Sequence, residues 1–466
     1  MTAPALAAVR PSARQLAWQR LEFYGFLHFG MNSMTDREWG EGHDDPARYD
    51  PDVLDPDQWI LALKDAGMTA VILTAKHHDG FCLWPSDATS YSVAASPCPR
   101  DVVGETAEAA RRHGLKFGVY LSPWDRTEAS YGTGKAYDDF YVAQLTELLT
   151  RYGPIFSVWF DGANGEGPNG KRQTYDWERY YAVIREHQPD AVISVCGPDV
   201  RWCGNEAGET RPDEWSVVPR ALQDAERIAS RSQQADDGTF ATLVRSDEQD
   251  LGSRAALAGH DDLVWYPAEV NTSIRPGWFH HPAEDDAVKS AGELFANYLR
   301  AVGGNSCFLL NVPPTADGVI HMNDVTVLAE LGERIASFRR RWLEATPSVT
   351  SGRPGRVANE WPGCGRLPWQ PDATDPRPAL TLDLGGTHPV EAVVIGEEIS
   401  LGQRIEHVVA HGRTAAGWIV LGEANAVGYQ RILTFPAVEA DAVRVEITAS
   451  RDTPVVARVA VIGAPR

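Results

Sequence analysis

The sequence predicts an α/β fold, a (β/α)8-like TIM barrel over residues 1–345, followed by a linker at 346–378 and a C-terminal antiparallel β-sandwich of jelly-roll type at 379–466. Three observations carry this. With 466 residues the chain has room for one large domain and one small one. Through the first 345 residues, short apolar runs alternate with amphipathic stretches, the signature of repeated βα units and a parallel sheet. After about Ser348 the texture changes to short alternating segments at near-regular spacing, with turn residues between them and no helix signal.

The barrel strands expected in order are Phe23–Phe29, Ala70–Thr74, Lys116–Leu121, Phe156–Phe160, Val192–Val195, Asp262–Tyr266 and Phe308–Val312. They are β-branched or aromatic and apolar on both faces, as strands covered by helices must be. Pro56–Ala66 reads as a helix behind Asp55, a good N-cap, and stops at Gly67. Val102–His113 opens after Asp101 and ends at Gly114. Tyr137–Tyr152, Tyr175–His187, Ala287–Val302 and Val325–Leu343 follow. That makes seven strands; the eighth is expected in the polar stretch Val217–His260, which also reads as a functional loop insertion. The sandwich strands are Ala379–Leu384, Val390–Ile395, Ile405–Val409, Trp418–Leu421, Arg431–Phe435, Ala442–Ile447 and Val455–Val461.

Composition excludes several classes. Hydrophobic residues at 43% and charged residues at 23% are ordinary for a globular chain. The 43 Lys and Arg against 64 Asp and Glu give a net charge of −21, which repels phosphate backbones and anionic lipid, so no nucleic-acid and no membrane partner is expected. No apolar run reaches 18 residues. Met1–Gln15 has no basic segment and Pro4 interrupts Ala3–Val9, which reads as no signal peptide and a cytoplasmic location. Six cysteines without a CxxC pair read as buried thiols rather than a disulfide framework or a zinc site.

In a barrel, function collects where strands end. The first strand ends in His28, the second in Lys76, His77, His78 and Asp79, and the third in Tyr120 with Ser122, Trp124 and Asp125 beyond. The fourth ends in Trp159, Phe160 and Asp161, the fifth leads to Asp199, Arg201, Trp202, Asn205 and Glu206, and the sixth to Glu269. Flat aromatic faces stack on sugar rings, His and carboxylates bond hydroxyls, and paired carboxylates are what glycosidic cleavage needs. Asp161 is the sharpest of these, because an acid leaving an apolar strand is costly unless it is used or paired; an N-cap or a structural ion pair is the plainer alternative. His77 and His78 admit three readings: core imidazoles, hydroxyl binders, or a metal site with His28 and Asp79. Adjacent residues of an extended segment point to opposite sides, which counts against the metal. The run Gly165 to Lys171 spells most of a phosphate-binding loop, but Arg172 stands where Ser or Thr is needed and Pro168 removes a backbone donor.

Several blocks together resemble glycoside hydrolase family 29, the α-L-fucosidases. They are Phe26–Asn32 with Thr35–Gly40, Thr74–Trp84, Phe117–Asp125, Val158–Ala163, Gly197–Trp202 with Gly204-Asn205-Glu206, and Ile274–Phe279. They run collinearly over roughly residues 20–345 and look most like the branch acting on α-1,3/1,4-linked fucose in Lewis-type glycans. The resemblance implies Asp161 as nucleophile and Glu206 as general acid/base, 45 residues apart. It implies fucose binding by His28, Glu38, Trp39, His77, His78, Tyr120 and Trp159. It further implies a retaining double displacement by carboxyls about 5–5.5 Å apart, a fucosylated oligosaccharide as partner, and no metal or organic cofactor. Glu209, Asp213 and Glu214 are neighbouring acids that compete with Glu206 for the acid/base role. In that branch an aspartate or similar group is common where this chain has Asn271-Thr272, as is an arginine near Gly304. The sandwich, through Leu382–Gly385 and Gly402–Arg404, resembles a discoidin-like domain and reads as a scaffold. The rival functions are a metal-dependent barrel hydrolase built on His28, His77, His78 and Asp79, and a non-catalytic fucose-binding protein that kept the pocket.

Overall fold

The computed structural model describes residues 3–231, 249–353 and 369–465. A parallel barrel fills the first of two regions. Its strands are β1 (Phe23–Leu27), β2 (Ala70–Lys76), β3 (Lys116–Leu121), β4 (Ile155–Phe160), β5 (Val192–Val195) and β6 (Arg201–Trp202). β7 (Val217–Pro219) and β8 (Leu263–Trp265) pair antiparallel in a separate ribbon, and β9 (Ala268–Ser273) and β10 (Cys307–Asn311) complete the barrel. The strand order is β5-β4-β3-β2-β1-β10-β9-β6, and a parallel bridge from Ser194 to Val200 brings the two ends together. All seven residues of β2 are buried, which explains why such strands read as unbroken apolar runs.

The helices begin and end where local chemistry dictates. The Asp55 side chain accepts from the Gln58 N–H and that of Asp101 from the Gly104 N–H, so orphan donors of each first turn are satisfied. Gly114 closes the second of these helices at φ +80°, a conformation that disfavours a Cβ. The helix expected from Ala287 begins at Ala291, because Ser290 and Glu293 form a capping box that sets its first turn.

Two expectations fail. Asp262–Tyr266 is not a barrel strand; its central residues form β8, and the barrel strand beside β10 is the polar sequence Ala268–Ser273. The eighth strand is Arg201–Trp202 rather than part of Val217–His260. Both errors have one cause. Hydrophobic patterning finds strands whose inward side chains are apolar, whereas β9 turns polar groups inward and satisfies them. Glu269 accepts from Trp159 Nε1 at 2.7 Å, Asn271 from Trp202 Nε1 at 3.0 Å, and Ser273 Oγ from Asn311 Nδ2 at 2.9 Å. β6, two residues long, has no period to detect. Residues 232–248 of the expected insertion lie outside the described residues.

The second region is one antiparallel sheet folded on itself. It comprises β11 (Thr346–Val349), β12 (Ala379–Glu397), β13 (Ile405–Thr414), β14 (Gly417–Ala424), β15 (Arg431–Ser450) and β16 (Val456–Gly463), in the order β11-β12-β15-β13-β14 with β16 on β12. β12 and β15 each join two segments that the sequence separates, through register shifts at Asp383/His388 and Val390/Ala392. Leu382, Val393, Val408, Val445 and Val461 meet in its core. The stretch read as a linker is structured at both described ends: β11 pairs with β12, and Trp369 is buried in the sandwich.

The sandwich is seated on the barrel through specific bonds. Gln403 Oε1 accepts from the Ser216 N–H at 2.9 Å, Asn305 Oδ1 from the Tyr429 N–H at 2.7 Å, and Arg431 pairs with Asp213 at 3.1 Å. Among the described residues, no helix is long and apolar enough to cross a membrane.

Candidate active site

A pocket opens at the C-terminal ends of the barrel strands. It is lined by His28, Glu38, Trp39, His77, His78, Trp159, Asp161 and Glu206, eight of the nine residues named from sequence, and also by Phe26, Val195, Trp202, Asn271 and Trp278. Tyr120 sits one layer behind. Its ring stacks between His77 (5.7 Å, 12°) and Trp159 (5.5 Å, 26°), and its hydroxyl donates to Asp161 Oδ2 at 3.0 Å.

Asp161 leaves β4 with both oxygens engaged: Oδ1 accepts from the Ala163 N–H at 2.7 Å and Oδ2 from Tyr120. A carboxylate so held presents a fixed face to the pocket. Glu206 comes from the loop after β6 and accepts from Trp278 Nε1 at 3.0 Å. Glu206 is half-buried as a residue, but its carboxyl is enclosed, and that enclosure, with Asp161 and Glu38 adding negative charge, pushes its pKa up to about 8 against the opposing pull of the Trp278 bond. Its three acidic neighbours are tied up: Glu209 pairs with Arg300 at 2.8 Å, Asp213 with Arg431, and buried Glu214 with Arg201 at 2.8 Å.

The histidines are buried and neutral, and their partners fix their tautomers. The Asn311 amide donates to Ser273 Oγ and to the Trp278 carbonyl, so its oxygen faces His28 and Nδ1 of His28 carries the proton. Ser122 donates to the Trp124 carbonyl at 2.6 Å, so it accepts from His78 Nδ1 at 2.7 Å. Asn32 donates to the Glu38 carbonyl, so the same amide nitrogen donates to His77 Nδ1 at 3.2 Å. His28 and His78 thus keep a bare Nε2 that can accept, while His77 keeps an Nε2–H that can donate. Burial pushes the pKa of His28 and of His78 down to about 4 and lowers that of His77 as well. Two acceptors and one donor of this kind suit sugar hydroxyls. Among the described residues, no group of three or more His, Cys, Asp or Glu side chains could hold a metal ion.

The supporting layer is charged. Lys76 is fully buried and pairs with Asp125 at 2.8 Å, whose other oxygen accepts from the Thr127 and Glu128 N–H groups. This pair fixes the loop beneath His78, since the Arg126 N–H donates to the His78 carbonyl. Lys76→Met should leave Asp125 as an unpaired buried anion and cost about 3–5 kcal/mol, read as a lower urea midpoint at unchanged slope.

The structure also relocates some features. Glu269 is not a strand-end group; it is the second residue of β9, fully buried in the barrel, where it accepts from Tyr24 and Trp159. Gly165 and Gly167 are small because Trp124 and Tyr131 lie against them, and a Cβ there would fall 2.2 Å and 2.4 Å from those rings; the loop is packed, not a phosphate cradle. Val195, a β-branched residue, takes a left-handed φ of +66° at the pocket wall, a strained conformation costing about 1–3 kcal/mol that tertiary bonds must hold. Tyr266, bonded to the carbonyls of Val195 and Gly197, is one such restraint. Cys82, Cys196, Cys203 and Cys307 are free and buried; Cys364 lies outside the described residues.

The α-L-fucosidase family model matches residues 26–338, from within β1 to the last barrel helix, and includes every residue of this pocket. The chain belongs to the α-L-fucosidase family. Alpha-L-fucosidase 1 of Arabidopsis thaliana is 38% identical over 463 residues, covering 96% of this chain and 86% of that one. Among solved structures, a glycoside hydrolase 29 family member from an unknown rumen bacterium is 34% identical with a TM-score of 0.79, covering 98% of this chain and 78% of that one. A GH29 fucosidase of Ruminococcus gnavus in complex with fucose is 27% identical with a TM-score of 0.83, covering 98% and 96%. The enzyme is therefore a glycoside hydrolase, an α-L-fucosidase. Its pocket combines eight of the residues given a role from sequence with Trp202, Asn271 and Trp278, to which none was given. Sequence reasoning names Trp278 only as part of a block; its indole bond to Glu206 joins positions 72 residues apart.

Proposed function

We propose that the enzyme is a retaining exo-α-L-fucosidase that removes α-1,3/1,4-linked fucose from branched, Lewis-type glycans. The observation that carries this is the contrast between its two carboxyls. Asp161 accepts hydrogen bonds on both oxygens, while Glu206 lines the same pocket with its pKa pushed up to about 8. Two carboxyls held in unlike environments take unlike roles.

Asp161 attacks the anomeric carbon as the glycosidic C–O bond breaks, and Glu206 gives its proton to the departing oxygen. The product is a fucosyl ester of Asp161. Once esterified, Asp161 is neutral and no longer holds the proton on Glu206, whose pKa falls. Glu206 then takes a proton from water, the water oxygen attacks the anomeric carbon, and the ester bond breaks to return Asp161 as a carboxylate. Nε2 of His28 and of His78 accept from sugar hydroxyls, and His77 donates. The fucose seen in the Ruminococcus gnavus relative supports a fucose-bearing substrate. The linkage preference is supported by the likeness of the motif blocks to the α-1,3/1,4 branch.

The discoidin-like sandwich serves as a scaffold for the acid/base loop. Asp213, seven residues beyond Glu206, accepts from the Asn425 amide at 2.8 Å and pairs with Arg431, and Ser216 bonds Gln403.

Product analysis tests the reading. Incubation with Lewis-type trisaccharides should release fucose, with slower release from a simple 2-linked fucoside. A reversed preference overturns the linkage. Proton NMR of an aryl α-fucoside digest should show the α-anomer of fucose first; β-fucose first would overturn the double displacement.

A further inference from the structure

Glu38 lines the pocket, yet both its oxygens are used by neighbouring groups. Oε1 accepts from the Trp278 backbone N–H, and Oε2 accepts from the Phe279 N–H at 3.2 Å and from His281 Nε2 at 3.0 Å. The other ring nitrogen of His281 lies 2.7 Å from Asp36 Oδ1. An imidazole with a carboxylate on each nitrogen needs both N–H groups, because the neutral ring would set a lone pair against an anion. The bond to Glu38, reinforced by Asp36 and by the charge of Glu284, pushes its pKa up to about 9 despite partial burial. His281 is thus an imidazolium that ties Asp36, beyond the first barrel strand, to the loop at 277–281, beyond β9. The same loop is anchored by Glu284, which accepts from the Gly277 N–H at 3.2 Å.

That loop delivers Trp278, whose indole donates to Glu206 Oε2 at 3.0 Å. From these bonds we infer that His281 is a positioning residue for Glu206: by bridging Asp36 and Glu38 it fixes the backbone of Trp278, and through Trp278 the carboxyl that protonates the leaving group. The inference rests on the acid/base role given to Glu206 above. His281 itself does not touch the pocket.

Two consequences follow from removing His281. The 278–279 backbone loses the cation that holds its acceptor in place, so the Trp278 indole no longer fixes Glu206. And Glu38 loses its counter-charge. The charged groups facing Glu206 are Asp161 and Glu38, both negative, so an uncompensated Glu38 strengthens its hold on the proton. Both effects move the acid/base pKa upward, and both weaken proton donation.

Leaving-group dependence separates this from a merely structural role. Phe279 packs on His28 (5.4 Å) and His77 (5.0 Å), so a loosened loop would also weaken sugar binding, but that loss falls equally on every fucoside. A misplaced acid harms substrates in proportion to how badly the departing oxygen needs a proton. His281→Ala is expected to lower kcat/KM on a Lewis-type trisaccharide about 10- to 100-fold more than on an activated aryl fucoside, with the alkaline limb of the trisaccharide pH profile displaced upward. His281→Gln, which keeps hydrogen-bonding capacity without charge and disturbs folding less, should show the same pattern at smaller size. Equal losses on both substrates, no loss, or an unmoved alkaline limb in both variants would overturn the inference. Glu206→Ala run alongside keeps the two readings apart. If it shows the leaving-group pattern and the His281 variants do not, only the positioning role falls. If Glu206→Ala lacks the pattern, the acid/base assignment falls, and this inference with it.

Discussion

Asp161→Ala is expected to lower kcat by about 10,000-fold or more on every fucoside, because in the proposed double displacement it removes the carboxylate that accepts the sugar. Fucose affinity should change far less. His28, His77, His78 and Trp159 keep their hydrogen-bond partners Asn311, Asn32, Ser122 and Glu269, although His78 Nε2 also lies 3.8 Å from Asp161 Oδ2. The variant loses the acceptor of the Tyr120 hydroxyl, but that ring stays stacked between His77 and Trp159. Titration calorimetry with free fucose, beside turnover of an aryl fucoside, reads both numbers. A small anion such as azide can enter the space the carboxylate leaves and attack from the same side, giving a β-fucosyl azide from an α-fucoside. Turnover unchanged by the substitution would remove Asp161 from the chemistry, and loss of fucose binding in step with turnover would make it a binding group instead.

Why Asp161 stands out in the sequence while other parts of the site do not is a matter of range. β1 to β5 and β10 are covered by helices on the outside and packed on the inside, so their apolar runs are visible, and the polar residues at their ends are visible by contrast. His28, His77, His78, Trp159 and Asp161 are legible in that way, and the structure gathers them at one pocket. Glu38 and Trp39 lie on a loop where patterning is silent, and their motif block alone points to them; Glu206 follows the fifth strand among several polar residues, and its block is what singles it out. β9 fails the same test from the opposite side. Its inward residues are polar and paired with partners more than 30 positions away, so Ala268–Ser273 resembles a loop, while the neighbouring apolar run forms the β7–β8 ribbon. Glu269 is misplaced for that reason alone. His281 and the left-handed Val195 carry no local signal, and Trp278 shows only as a member of a motif block, because what defines each is a bond or a constraint made in three dimensions. In the sandwich, bulges hide the continuity of β12 and β15, since a turn-rich sequence within a strand cannot be told from a turn between two.

Glu206→Ala should divide substrates by leaving group. On a Lewis-type trisaccharide, whose departing sugar hydroxyl needs a proton, the loss should be about 100- to 10,000-fold in kcat/KM. An aryl fucoside with a strongly acidic phenol departs without help, so its kcat/KM should fall by less than about tenfold, while kcat falls more because hydrolysis of the fucosyl ester lacks its base. Azide, which needs no base, should restore kcat on the aryl fucoside and yield an α-fucosyl azide, the opposite anomer to that from Asp161→Ala. The pH profile supplies an independent check. Glu206 must carry its proton to act as an acid, and its pKa is raised to about 8, so wild-type kcat/KM on the trisaccharide should hold below that value and fall as pH rises through it. In Glu206→Ala that alkaline limb should vanish from the residual activity. A limb that persists near pH 8, or equal losses on the two substrates, would assign the proton to another group; Glu38, the other carboxyl beside Trp278, would then be the first to substitute.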